Sequence, residues 1–357
     1  NCTSRSKEHR LRRLRRLSEK ILKLTSADEA TSDWQLYHGF PKKPASSMLS
    51  VLDPHDGDGT SGKTAIVMQG PIVYEDDMTL NSLKLYRKTM PNAILVLSTW
   101  NDVPLDQRSR FEDQGVHFVE SELPSHRGPQ NINLQLASTA RGIQEADRLG
   151  CDYILKTRCD TRIHLPDLDL FLQDLLSSFP VPTHTGQLSR IITLDFATRM
   201  YIPHHPSDIM MFGSTNDHVR YWHPSPFGPE YKFVNDDNFG RLISQPLPEV
   251  MICTRFLQSL GQNPSHTLDE WWQSLADRFI VVDRSTIGHF WIKDFKNISQ
   301  PMEMQWDRTN MALCHFPHWL QMHRRVAKPL AKLEDLRSQQ TYEFVFDGNC
   351  RPVKASA

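Results

Sequence analysis

At 357 residues, with 39% hydrophobic and 23% charged content, the chain can bury a large soluble core, and no run approaches the roughly 18 apolar residues of a membrane span. The formal net charge of −1 is unevenly laid out: residues 1–24 hold nine of the 41 Lys and Arg and two of the 42 Asp and Glu, so the remainder has 32 basic against 40 acidic residues, net −8. An acidic body argues against nucleic acid as a partner, and six cysteines (Cys2, Cys151, Cys159, Cys253, Cys314, Cys350) without CxxC spacing argue against a zinc site or a disulfide scaffold.

Residues 9–24 place Leu11, Leu14, Leu17, Ile21 and Leu24 on one helical face, with Arg12, Arg13, Arg16 and Lys20 around the others, the pattern of a basic amphipathic helix suited to an anionic membrane surface, a stalk or a partner helix. The chain begins at Asn1, which leaves room for an upstream anchor. Residues 25–62 are rich in Ser, Asp, Gly and Pro and predict a linker. The GTSGKT stretch ending at Thr64 lacks phosphate-loop spacing and precedes a strand instead of following one.

From Thr64 the pattern alternates strand and helix. TAIVMQ, AILVLSTW, VHFV and YILKTR predict strands, and the segments near Thr79–Met90, Pro104–Gln114 and Asn131–Leu149 predict helices between them. This alternation predicts a Rossmann-like, mostly parallel central sheet flanked by helices. The second half is loop-rich: a helix over Pro166–Phe179, strands at LSRIITLD, DIMMFG and FIVVD, a helix from Pro248 to Leu260, and Pro-, His- and Asp-rich loops between them.

Polar residues gather where the strands end, the usual place for ligands in such sheets. Gln69, Gly70 and Pro71 follow the first strand, Thr99 and Trp100 close the second, and Asn131, Asn133 and Gln135 open a helix, where side-chain amides suit a base or ribose as well as simple capping. YILKTRCDTRI turns from apolar residues to Lys156, Arg158, Asp160 and Arg162, and one carboxylate among three cations suits a phosphate-bearing substrate, with or without a metal ion. The absence of a GxGxxG turn argues against a dinucleotide oxidoreductase.

In order along roughly residues 63–295, KTAIVMQGPIV, TLNSLKLYRKTMPNAILVLSTW, NINLQLASTARGI, YILKTRCDTRI, SDIMMFG and IGHFWIK resemble the WavE-type family of lipopolysaccharide-synthesis proteins, placed among GT-A-fold glycosyltransferases. The resemblance implies an α/β, GT-A-like fold and transfer of a sugar from a nucleotide-sugar donor to a glycan or glycolipid acceptor. Together with the residue patterns outside it, the expected domain plan is a stem helix at 1–24, a linker at 25–62, a nucleotide-sugar-binding half at 63–165, an acceptor half at 166–325 and an extension at 326–357. Asp160 stands where such enzymes carry Asp-x-Asp, but Thr161 and Arg162 replace the second acid. The expectation is therefore Mn²⁺ or Mg²⁺ on Asp160, with His289 as a further ligand, or neutralisation of the diphosphate by Lys156, Arg158 and Arg162 instead.

Glu249, opening a helix downstream of DIMMFG, is the expected base of an inverting transfer, with Asp208, Asp236 and Asp237 as competitors. A silent glycan- or nucleotide-binding protein of the same fold and a metal-dependent phosphodiesterase or nucleotidyltransferase are the competing classes. The basic helix and two glycosylation sequons, at Asn1 and Asn297, lead to an expected type II membrane enzyme of the Golgi lumen, with the cytoplasmic face of a bacterial inner membrane as the alternative.

Overall fold

The computed structural model describes residues 62–231, 246–293 and 313–326, together with the strand pairs Leu36–Tyr37 with Phe40–Pro41 and Phe344–Phe346 with Pro352–Lys354. The expected helix at 9–24, both sequons, Asp236 and Asp237 lie outside the described residues. Contacts divide the chain into two units, Asn1–Asp56 and Gly57–Ala357. The first holds the antiparallel pair at residues 36–41, and everything below concerns the second.

The expected alternation is present: β1 (Thr64–Gln69), α1 (Met78–Thr89), β2 (Ile94–Trp100), α2 (Leu105–Glu112), β3 (His117–Ser121), α3 (Ile132–Arg148) and β4 (Tyr153–Arg158). There follow β5 (Thr161–Arg162), α4 (Leu168–Ser178), β6 (Ile191–Leu194), β7 (Met211–Ser214), α5 (Thr215–Tyr221), α6 (Pro248–Ser259), α7 (Leu268–Arg278), β8 (Phe279–Val282), β9 (Phe290–Trp291) and α8 (Phe316–Val326). Seven strands form one sheet in the order β8-β6-β7-β4-β1-β2-β3. Only β7 runs antiparallel to its neighbours, so the sheet is mostly parallel and flanked by helices, as expected.

Every residue of β1, β6 and β8 is buried, because helices cover both faces of the sheet and leave no reason for alternation in the sequence. Each Leu, Ile or Val taken fully out of water there contributes about 1.5–3 kcal/mol. Helix α3 lies unusually close to β1 and β2: a Cβ on Gly142 would fall 2.5 Å from Cγ1 of Val67 and 3.0 Å from Cβ of Ser98. Among the described residues no helix is long and apolar enough to cross a membrane.

Two helices of the second half were not individually expected. α5 has seven residues, and its start is marked by Ser214, whose hydroxyl accepts from the Asp217 backbone amide. α7 opens on Thr267, which accepts from the Glu270 amide, the Thr-x-x-Glu spacing of a capping box and a legible signal.

This topology fixes where chemistry can occur. The carboxyl ends of β1, β2, β3, β4, β6 and β8 share one edge, and the antiparallel β7 enters from that edge with Met211 opposite Lys156. The segment just before β7, including Asp208, is thereby brought beside the end of β4.

Candidate active site

β4 ends at Arg158 and turns sharply through Cys159 and Asp160, with the hydroxyls of Thr157 and Thr161 2.9 Å apart across the turn. β9 then pairs antiparallel with β5, Trp291 opposite Thr161, and the Ile292 amide donates to the Asp160 carbonyl at 3.1 Å. Arg158 donates from Nε to Oδ1 of Asp160 at 2.8 Å and from Nη2 to Oδ2 at 2.9 Å. Trp291 Nε1 donates to Oδ2 at 3.1 Å, and Lys293 Nζ stands 3.6 Å from the same oxygen. Both cations also face the Trp291 ring, Arg158 at 5.9 Å and Lys293 at 5.2 Å from its centroid. Burial alone would raise the Asp160 carboxyl, but Arg158, Trp291 and Lys293 together hold it well below the usual carboxylate range.

A second acidic centre lies beside the first. Glu249 occupies the first turn of α6 behind Pro248. Burial, followed by the neighbouring Asp208 carboxylate, raises its carboxyl to about 7, with Arg199 and Arg158 acting in the opposite direction. Asp208 accepts from Nε2 of Gln135 at Oδ2, while its backbone carbonyl accepts from Nζ of Lys156. A carboxyl group half ionised near neutral pH suits proton transfer, since a base is most effective when its pKa is close to the working pH.

Next to this edge, at the ends of β1 and β2, is a cleft of about 600 Å³ whose walls include Pro71, Tyr74, Thr99, Trp100, Asp102 and Arg110. Arg110 is already paired with Asp77 at 2.8 Å, so the lining is mainly aromatic, apolar and neutral polar, with Asp102 exposed. The chain reaches the cleft through Gly70, whose φ of 106° places it where an L side chain would be strained.

The structure brings Asp160, Arg158, Asp208, Glu249 and Gln135 to one region and sets Pro71, Thr99 and Trp100 around the cleft. Three expected phosphate or nucleotide contacts need correction. Lys156 is fully buried, with its ammonium on the Asp208 carbonyl and 4.5 Å from the centroid of Trp222, and burial lowers it to about 7, so it is not presented to a phosphate. Arg162 is 2% exposed and turns beneath α1, where it donates to Oγ of Ser82 at 3.0 Å and to the Met78 carbonyl at 3.2 Å. Asn133 is buried and exchanges hydrogen bonds of 2.9 Å with both backbone groups of Phe227, a tie from the first turn of α3 to a loop.

Gln69 is also internal, accepting from Ser138 Oγ at 2.8 Å. Asn131 is exposed and opens α3 with φ of 64° and no side-chain capping bond. The contacts that sequence reading missed are Trp291 and Lys293 on Asp160, and His205 beside Glu249. The signal available was the aromatic and basic run IGHFWIK, but not its pairing partner.

The residues around Asp160 do not fit a divalent cation. Both carboxylate oxygens already accept hydrogen bonds, and two cations flank them. His289 is close enough to feel the Asp160 charge, has neither ring nitrogen hydrogen-bonded and is kept neutral by burial and then Arg284, its pKa lowered to about 3, so any objection to a metal here comes from Asp160 and its flanking cations and not from this ring. Among the described residues, metal-ligand atoms of three side chains converge at Asp195, Asp283 and His315. There Oδ1 of Asp195 accepts from the Phe196 and Arg284 amides, each at 2.7 Å, and Oδ2 faces Nδ1 of His315 at 2.9 Å, so this carboxylate already serves protein donors.

Comparison with known proteins gives one family: the model for WavE lipopolysaccharide synthesis matches residues 64–346. No curated protein matches the sequence. Among solved structures, a glycosyltransferase involved in glycosylation of the major capsid of PBCV-1 is similar at 13% identity and a TM-score of 0.32, over 62% of this chain and 82% of that one. S. aureus TarS is similar at 9% identity and a TM-score of 0.32, over 55% of this chain and 33% of that one. These likenesses are distant.

Proposed function

Because this chain belongs to the WavE lipopolysaccharide synthesis family, we propose that it is a glycosyltransferase that moves a sugar from a nucleotide-sugar donor to a glycan or glycolipid acceptor, with Glu249 as the base. The observation that carries this reading is the carboxyl group of Glu249, raised to about 7 at the strand-end edge, beside Asp208 and within the field of Arg158. Aromatic and apolar walls suit a nucleobase, and the cleft bounded by Tyr74 and Trp100 is large enough for one.

In the proposed reaction the acceptor hydroxyl gives its proton to the Glu249 carboxylate as its oxygen attacks C1 of the donor sugar. The bond from C1 to the phosphate oxygen breaks, and its electron pair leaves on the nucleoside diphosphate. Arg158 and Lys293 meet that growing charge. A single displacement of this kind inverts C1. Asp208, held by Gln135, keeps the Glu249 carboxyl basic enough to accept the proton.

The basic stretch at 9–24 would hold the enzyme against an anionic membrane, as a type II protein of the Golgi lumen or on the cytoplasmic face of a bacterial inner membrane. Incubation of the full chain with a panel of UDP- and GDP-sugars and a lipopolysaccharide-type acceptor tests the activity. Acceptor-dependent release of nucleoside diphosphate supports it. Nucleotide binding without release identifies a silent binding protein, and nucleoside monophosphate as product identifies a different reaction class.

A further inference from the structure

We propose that Arg158 and Lys293 bind the donor diphosphate without a divalent cation, and that Asp160 is a positioning residue that holds both cations directly, with Trp291 bracing the carboxylate. This rests on the glycosyl-transfer reading. A ligand carboxylate must turn an open lone pair towards its metal, whereas the Arg158 fork takes one lone pair from each Asp160 oxygen, at 2.8 and 2.9 Å, and Trp291 adds a second bond on Oδ2 at 3.1 Å, which leaves at most the second lone pair of Oδ1 for an ion. Arg158 and Lys293 flank the Asp160 carboxylate itself, so a divalent ion approaching that group would meet two cations while a diphosphate would meet complementary charge there.

Access follows the same division of labour. The Asp160 side chain is 14% exposed, while those of Arg158 and Lys293 are 24% and 54% exposed. The carboxylate is thus the anchor, and the cations are the groups a ligand reaches. Arg158 keeps part of its guanidinium edge for phosphate oxygens after both Asp160 bonds are made, because the group carries five donors. Trp291 holds the geometry from β9, and its ring is the common platform over which both cations lie.

The test is binding of UDP and GDP by calorimetry, and turnover of the corresponding sugar nucleotides, in EDTA and in Mn²⁺. Affinity and rate are expected to agree within about twofold between the two conditions. Lys293→Gln, an exposed change that leaves the fold intact, and Arg158→Gln are each expected to weaken diphosphate binding about 10-fold or more, from loss of a charged hydrogen bond. Asp160→Asn is expected to raise the donor KM about as much while leaving the acceptor KM unchanged, a split that a general loss of structure would not produce. His289→Phe is expected to leave metal response and donor KM as they were. Binding or turnover that disappears in EDTA, returns with Mn²⁺ and is lost in Asp160→Asn overturns the metal-free assignment alone. Failure of UDP and GDP to bind under either condition overturns the glycosyl-transfer reading itself.

Discussion

Nε2 of His205 lies 3.6 Å from the carboxylate of Glu249, yet the two do not form an ion pair. Nδ1 of His205 faces the Ala197 carbonyl at 3.1 Å and must donate to it, which leaves a lone pair on Nε2. Burial, then Arg199, lowers the ring to about 3, so it is neutral at any working pH. Glu249 therefore faces an acceptor on this side, an arrangement that favours its protonated form alongside the effects of burial and Asp208.

The first expected outcome concerns rate. Glu249 must be ionised to take a proton, so kcat/KM for transfer is expected to rise with pH through about 7 and then level off. Glu249→Gln removes that limb and lowers kcat about 100-fold or more, with donor KM little changed. A pH–rate series on both proteins checks this, and activity within a few-fold of wild type in the variant removes Glu249 from the role.

The same carboxyl has a stability signature of opposite sense. Its pKa is higher folded than unfolded, so the folded state binds more protons between about pH 4.5 and 7, and stability falls as pH rises through that window. Glu249→Gln is expected to be more stable than wild type by about 2 kcal/mol at pH 8, with the gap closing at pH 5, in urea unfolding.

Lys156 gives a third test. Burial lowers its pKa to about 7, so between pH 7 and the ordinary lysine range the unfolded chain binds more protons and stability rises with pH. Lys156→Met is expected to flatten that rise. Parallel slopes for variant and wild type between pH 7 and 10 would show that the ammonium does not titrate there.

Two positions test packing and the cleft. Gly142→Ala places a methyl group 2.5 Å from Val67 Cγ1, and overpacking is expected to outweigh the gain in helix propensity, destabilising by about 1–3 kcal/mol in the same unfolding assay.

Tyr74, 48% exposed on the cleft wall, is free to stack on a base. Tyr74→Ala is expected to raise donor KM about 10-fold, as loss of a stacking contact does, with kcat retained. An unchanged donor KM would move the nucleobase elsewhere.

The sheet was legible because β1, β2, β4 and β8 contain the consecutive apolar runs AIVM, ILVL, YIL and FIVV, a pattern that burial on both faces leaves in the sequence. The site edge was legible for a related reason, since Arg158 and Asp160 appear where a buried strand stops. The directions of the long side chains were not. Lys156 and Arg162 carry the same charge as Arg158, but the pairing of β7 with β4 gives Lys156 the Asp208 carbonyl, and the cover of α1 gives Arg162 the Met78 carbonyl. His205 and Glu249 meet only through tertiary structure, and no local pattern joins them.

The bond from Trp291 to Asp160 spans 131 positions of the chain. A nascent chain can therefore lay down β1 to β4 and acquire Asp160 long before the indole and Lys293 have left the ribosome. Until they arrive, Arg158 and Asp160 lack the Trp291 ring and the Lys293 ammonium beside them, so the proposed site is completed only after β9 has been made. On the proposed reading, a chain stopped before β9 would keep much of the sheet and yet bind a donor diphosphate poorly.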